Sequence, residues 1–201
     1  MYVLTVDQID SRHHADRVEA ALASLARRHT GDLVAAPERT AGDEFQLATR
    51  KAGTALEIVL GLVRDGAWSV GLGVGEVETP LGPSVRALSG SAFVRAREAV
   101  TAAKKRPARF ALVADPAGTA ELDPLVRLVL FLRERRTPEG WELADVLEAE
   151  PELTLTDAAA RLGISAQAAS QRAQTAGIRL DREAREAITA LLADLDARIG
   201  G

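Results

Sequence analysis

Apolar and polar positions over the first 115 residues switch repeatedly between the two-residue period of a strand and the 3.6-residue period of a helix. Tyr2–Val6 is a short β-rich run, and Asp10–His29 then places Val18, Leu22 and Leu25 at helical spacing before stopping at His29-Thr30-Gly31. Leu33–Ala36 and Glu44–Ala48 flank a Gly-Asp turn and predict a hairpin. Ala52–Arg64 predicts a second helix, with Leu56, Val59, Leu60 and Val63 on its inner face. Trp68–Val74 alternates as a strand, and Glu76–Ser89, rich in Gly and Pro, reads as a loop. A third helix is expected over Ser91–Lys105 and a further strand over Arg109–Val113, ending at Asp115-Pro116. The order is βαββαβ with an extra αβ unit, which predicts an α+β domain with helices packed on one face of a mixed sheet.

Asp115–Asp123 (DPAGTAELD) reads as a turn-rich linker. Beyond it the pattern is helical throughout: Pro124–Arg136, Pro138–Ala149, Thr156–Leu162, Ala166–Ala176 and Asp181–Ile199. Residues 1–118 are therefore expected to form one domain and 119–201 an all-α second domain. In the last helix Ile188, Leu191, Leu192 and Leu195 share a face suited to core packing or dimer contact.

Composition narrows the class. A chain of 201 residues has room for one generous core or two small ones. With 47% apolar and only 3% aromatic residues, Ala, Leu and Val must build those cores. The absence of Cys excludes disulfides and thiolate metal sites and makes the cytoplasm the expected compartment. No apolar run approaches the roughly 20 residues of a membrane span, and the N-terminus lacks the basic-then-apolar order of a signal peptide, so no membrane partner is expected. Charge is unevenly divided. Residues 1–118 carry 15 basic and 14 acidic side chains, a net +1, against 10 and 15, a net −5, for residues 119–201. The second figure argues against strong nonspecific DNA binding, which needs Lys and Arg on phosphates.

Within that acidic half, Thr154–Ile178 has the order of a helix-turn-helix. Thr156 predicts an N-cap, Ala158, Ala159 and Leu162 an inner face, Gly163 a tight turn, Ile164 a core plug and Ser165 a second cap. The segment resembles the helix-turn-helix of bacterial transcriptional regulators. The resemblance implies double-stranded DNA as partner and Ser165, Gln167, Ser170, Gln171, Arg172 and Gln174 as the contacting residues. Gln pairs adenine in a bidentate way and Arg pairs guanine or phosphate. The plainer alternative is a trihelical packing unit with a solvated polar face. Arg161, Arg172 and Arg179 are the nearby cations in sequence, no wing hairpin follows, and a homodimer would let two weak half-sites add.

The N-terminal half offers a second site. In TVDQID, Asp7 falls just past a buried strand; in AGDEFQ, Asp43 sits at the hairpin turn beside Gly42. If the two strands are neighbours, Asp7 and Asp43 converge at one sheet edge, where two carboxylates suit a hard divalent ion carrying a triphosphate. The alternative is turn chemistry, since Asp beside Gly is common in tight turns. Element order and these two motifs resemble the ferredoxin-like, palm-type fold of class III nucleotide cyclases and diguanylate cyclases over residues 1–115. AGDEF differs from the diguanylate-cyclase GGDEF at Ala41. Joined to a helix-turn-helix, VDQID and AGDEFQ also resemble SatD-family proteins. The resemblance implies Mg²⁺ or Mn²⁺ on Asp7 and Asp43, with a nucleotide near Arg39, Gly42, Arg95 and Arg97. Arg39 stands where class III cyclases carry a purine-reading Lys, and the partner acidic position falls near Ala87. The helix positions that carry an Asn and an Arg for the transition state become Val94 and Glu98, with Arg95 and Arg97 alongside. A metal pair without those groups implies a catalytically degenerate domain, because the oriented cation is a large electrostatic contribution. An active cyclase or nucleotidyl transferase with a dimerising helical tail is the alternative.

Other features read as structural. His13 and His14 are adjacent and diverge on a helix, while His29 suits a helix end. The GLGVG run (Gly71–Gly75) lacks the Lys-Ser/Thr of a phosphate loop and predicts strand packing, and Lys104-Lys105-Arg106 reads as a solvated helix end.

Overall fold

Strand β1 (Tyr2–Gln8) lies at the centre of a five-stranded sheet, and every residue but Asp7 is buried. The computed structural model describes residues 1–79, 82 and 84–200. It is α+β, with eight α-helices among those residues. The sheet adds β2 (Glu38–Ala41), β3 (Glu44–Thr49), β4 (Trp68–Val74) and β5 (Phe110–Val113) in the order β2-β3-β1-β4-β5. All neighbours are antiparallel except β4 and β5. Helices α1 (Val18–Arg28), α2 (Ala52–Asp65), α3 (Ser91–Ala103) and α4 (Pro116–Glu134) are interleaved with or follow the strands. Then come α5 (Pro138–Ala149), α6 (Leu155–Arg161), α7 (Ala166–Thr175) and α8 (Ile178–Gly200).

The two faces of the sheet differ in side-chain size, and this alternation decides what packs where. One face carries Leu4, Val6, Phe45, Leu47, Trp68, Val70, Leu72, Phe110 and Leu112, all essentially inaccessible. Helix α2 covers it, and the Trp68 indole N–H donates to Asp65 at the end of that helix (2.8 Å). The other face is nearly stripped of bulk: Val3, Ala48, Gly71, Gly73 and Ala111. Against it lies α3, whose Ala92, Ala96, Ala99 and Ala103 are buried. A Cβ on Gly71 would fall 2.6 Å from Ala96 O, and one on Gly73 2.9 Å from Ala96 Cα. The GLGVG run is thus a packing stripe, as its sequence predicts.

Several expected boundaries move, each for a local reason. The first helix starts at Val18 rather than Asp10, because Asp10 turns the chain with φ 50° and Gln8 ties down the Ala15 carbonyl and the Arg17 N–H. The hairpin partner of β3 is Glu38–Ala41, not Leu33–Ala36. A two-residue turn at Gly42-Asp43 fixes the strand that pairs, so Leu33 is left with a single bridge to Thr49. Asp115–Asp123 is helix rather than linker, since Pro116 opens α4 and the Asp115 carboxylate accepts from Gly118 N (2.7 Å). The loop expected over Glu76–Ser89 includes Pro80, Leu81 and Pro83, which lie outside the described residues.

The chain divides into two compact units, Met1–Arg127 with Ile188–Gly201, and Leu128–Ala187. In the first, Ile188, Leu192 and Leu195 are buried, and the Tyr2 hydroxyl donates to Leu192 O (2.8 Å). In the second, α5, α6 and α7 pack through small residues, among them Ala144, Ala158, Ala159, Ala169 and Ala176. That unit also encloses an ionic cluster. The Asp181 carboxylate, 2% exposed, lies 3.1 Å from Arg133, 3.2 Å from Arg136 and 3.4 Å from Arg185. Arg133 and Arg136 both stack on the Trp141 ring. No helix among the described residues is long and apolar enough to cross a membrane.

Candidate nucleic-acid interface and carboxylate site

The α6–α7 segment is built by its caps. Thr154, not Thr156, caps α6: its hydroxyl accepts from Asp157 N (3.1 Å) and donates to the Asp157 carboxylate (2.6 Å). The first bond satisfies one orphan backbone N–H of the helix, the second orients the capping hydroxyl, and the helix starts earlier than a cap at 156 would allow. Gly163 takes φ 65° in the turn, and Ser165 caps α7 by accepting from Ala168 N (3.1 Å). Ala169 faces inward, while Gln167, Ser170, Gln171 and Gln174 are exposed and Arg172 is half-buried. The outer face of α7 is thus polar and uncharged, with hydrogen-bonding groups at helical spacing. Its flanking cations are engaged by carboxylates of the same unit: Arg161 by Glu150, Arg172 by Glu142 at 3.4 Å, and Arg179 by Glu183 at 2.7 Å. Arg135 is a fourth nearby cation that sequence reasoning missed. It precedes α5 and shares a cleft with Gln171, Arg172 and Thr175 of α7. Nothing in the sequence spacing signals that neighbourhood.

At the other site, Asp7 and Glu44 are direct cross-strand partners on the α3 face of the sheet. Lys104 Nζ lies 2.6 Å from Asp7 Oδ2, and Arg97 Nη2 lies 2.7 Å from Glu44 Oε1. Arg97 and Lys104 are two helical turns apart and so overlie the same strand ends. Lys104 is exposed at the helix end, as expected, and also pairs with Asp7; Arg106 likewise pairs with Asp123. Asp43, in the β2–β3 turn, accepts from the Ser11 hydroxyl, and its carbonyl accepts from Gln8 N (3.1 Å). Gly42 takes φ 53°, and its carbonyl accepts from Arg39 Nη1 (2.6 Å); Arg39 also pairs with Asp16 and Glu19. Arg95 is elsewhere, donating to Val74 O (2.7 Å) at the opposite end of the β1–β4 pair from Asp7. Val94 is 70% exposed and Glu98 is also exposed, both on the outer side of α3. Among the described residues no group of three or more His, Asp or Glu side chains has a metal-holding arrangement. What the fold gathers is Asp7, Asp43 and Glu44 with Arg97, Lys104 and Ser11. Glu44 and Lys104 were not anticipated; Glu44 follows from the hairpin register, once β2 is placed correctly.

Burial raises the Asp7 carboxyl above the ordinary aspartate range despite Lys104, and the neighbouring Asp43 and Glu44 add to the rise. The folded state thus holds this proton to higher pH than the unfolded chain. Stability contributed at this position falls as pH climbs from the ordinary range through the raised value, and is flat beyond. Asp7→Asn in metal-free buffer is therefore expected to raise the thermal midpoint at pH 7, with the gain vanishing in acid. A lower midpoint at pH 7 would show Asp7 to be a net structural asset.

In comparisons with protein-family models, curated proteins and solved structures, nothing matched the chain.

Proposed function

We propose that this protein is a DNA-binding regulator of the SatD type, reading double-stranded DNA through α7. The observation that carries the reading is the exposed, uncharged row of Gln167, Ser170, Gln171 and Gln174 on a helix capped by Ser165 and set behind the Gly163 turn. Amide and hydroxyl groups in that row match base-edge recognition in the major groove. The scarcity of unpaired cations around it implies few phosphate contacts, and a homodimer binding two half-sites would compensate.

The N-terminal part acts, in this reading, as a catalytically degenerate, palm-type cyclase-like domain that binds a nucleotide with Mg²⁺ or Mn²⁺ on Asp7 and Asp43. The antiparallel order β2-β3-β1-β4 supports the ferredoxin-like layout. The placement of Arg97 and Lys104 over the carboxylates supports a polyphosphate beside the metal, because a divalent ion on the carboxylates would free both cations for phosphate oxygens. Val94 and Glu98, facing outward from α3, supply neither an amide nor a cation to that place, which favours binding over turnover.

In a gel shift, Gln171→Ala with Arg172→Ala is expected to abolish a sequence-specific complex formed by the wild type. A bidentate base contact by Gln171 is worth about 1–3 kcal/mol and loss of the Arg172 charge on the DNA adds to it, so the pair costs one to several orders of magnitude in affinity. Unchanged affinity across salt would remove α7 as the reading helix. Calorimetry with Mg²⁺ and a nucleoside triphosphate tests the other half, with heat expected from the wild type and lost in Asp7→Asn.

A further inference from the structure

We propose that a DNA backbone phosphate seats in the cleft between the start of α5 and helix α7, gripped by Arg135 and Arg172, and that Glu142 competes with the phosphate for Arg172. The inference rests on the DNA reading of α7 and adds the contact that anchors it. The cleft has a volume of about 310 Å³, and its polar lining includes Arg135, Thr137, Glu139, Gln171, Arg172 and Thr175. Three of these lie on α7, so a group seated there touches the edge of the reading face itself.

The cations around α7 differ in how their charge is used. Arg161 and Arg179 are turned to Glu150 and Glu183. Arg135 has no carboxylate partner among the described residues; its guanidinium lies over the Phe131 ring, 4.0 Å from the centroid, which fixes the plane of the group. Arg172 meets Glu142 at 3.4 Å, and the Glu142 side chain is 58% exposed. An exposed pair at that distance contributes little, whereas an Arg–phosphate contact with two parallel N–H···O bonds is stronger. Exchange of carboxylate for phosphate therefore favours DNA, but Glu142 remains close by as a like charge that weakens the complex. Glu139, the other acid of the cleft, is held below the usual glutamate range by its own backbone N–H and the Thr137 hydroxyl, and by Arg172. It sits at the N-terminal turn of α5, where a carboxylate suits the helix dipole.

The test is fluorescence anisotropy with a mixed-sequence duplex of about two helical turns, titrated at salt concentrations from about 50 to 200 mM. Arg135→Ala is expected to weaken binding about tenfold at low salt and to reduce the salt slope by about 1, equally on all sequences, with Arg135→Lys restoring most of the slope. Glu142→Gln is expected to tighten binding by about threefold or more, an effect absent when Arg172 is also Ala. Unfolding midpoints equal to the wild type are expected for both exposed positions. Wild-type slope and affinity in Arg135→Ala would overturn the phosphate seat, and loss of sequence preference in Gln167→Ala/Gln171→Ala, which leaves Arg172 in place, would leave the reading helix standing. No duplex binding by the wild type would overturn both.

Discussion

Gly71→Ala should destabilise the first unit by about 3 kcal/mol or more, at the upper end of what overpacking a core costs. The added methyl has no free rotamer with which to escape, because its obstacles are the backbone of α3 at Val100 and Ala96. To admit it, α3 must lift off β4, and with it the alanine stripe at Ala92, Ala96, Ala99 and Ala103 loses its contact with the sheet. Arg97 and Lys104 would rise away from Glu44 and Asp7 at the same time, so a destabilised but folded variant should also lose the Mg²⁺–nucleotide binding proposed for that site. Gly61→Ala provides the contrast. Gly61 is in α2, and a methyl added there would meet nothing within 4 Å, so Ala should stabilise by about 0.5–1 kcal/mol through lower unfolded-state entropy. Urea unfolding of both variants checks the pair; equal stability of the two would mean that α3 does not rest on the glycine stripe.

Asp181→Ala is the second large effect. It removes the carboxylate shared by Arg133, Arg136 and Arg185, while Arg133 and Arg136 stay buried. Breaking a buried pair from one side costs about 3–5 kcal/mol; the lower part of that range is expected, because Glu148, 3.7 Å from Arg133 and 3.2 Å from Arg185, still compensates part of the charge. Arg136 also donates to Ala176 O (2.8 Å) at the C-terminus of α7, so its displacement would loosen that helix. Loss of DNA binding together with a lower unfolding midpoint of the second unit is expected, measurable by hydrogen exchange at α5–α7. Protection equal to the wild type would show that the cluster carries no weight in that unit. Replacing Asp181, Arg133 and Arg136 together by apolar residues of similar volume should recover much of the loss, since no unpaired charge is then buried.

What was legible in the sequence followed from period and punctuation. Trp68–Val74, Ala52–Arg64 and the α7 span emerged close to their observed limits because apolar spacing and a terminal Gly or Ser mark them. The errors cluster where one local signal competed with another. Pro124 resembles a helix start, but Pro116 had already provided one, and Pro124 is carried inside α4. Thr154 and Thr156 are both good caps, and the Asp157 side chain decided for the first. Asp181 reads as the first residue of the last helix, and its burial among arginines depends on tertiary packing that no spacing reveals. At the carboxylate site, Asp7 and Asp43 could be read from strand ends, but Glu44 required the register and Lys104 required the position of α3. Arg135 was beyond reach for the same reason: it lies far from Gln171 along the chain, and only packing of α5 on α7 makes them neighbours.

We propose that α7 reads base sequence. Selection from random duplex DNA, run in parallel with the wild type and Gln171→Ala/Arg172→Ala, tests it most directly. Recovery of a defined motif by the wild type, altered or lost with the variant, is the expected result. Recovery of no motif, or of the same motif by both proteins, would contradict it.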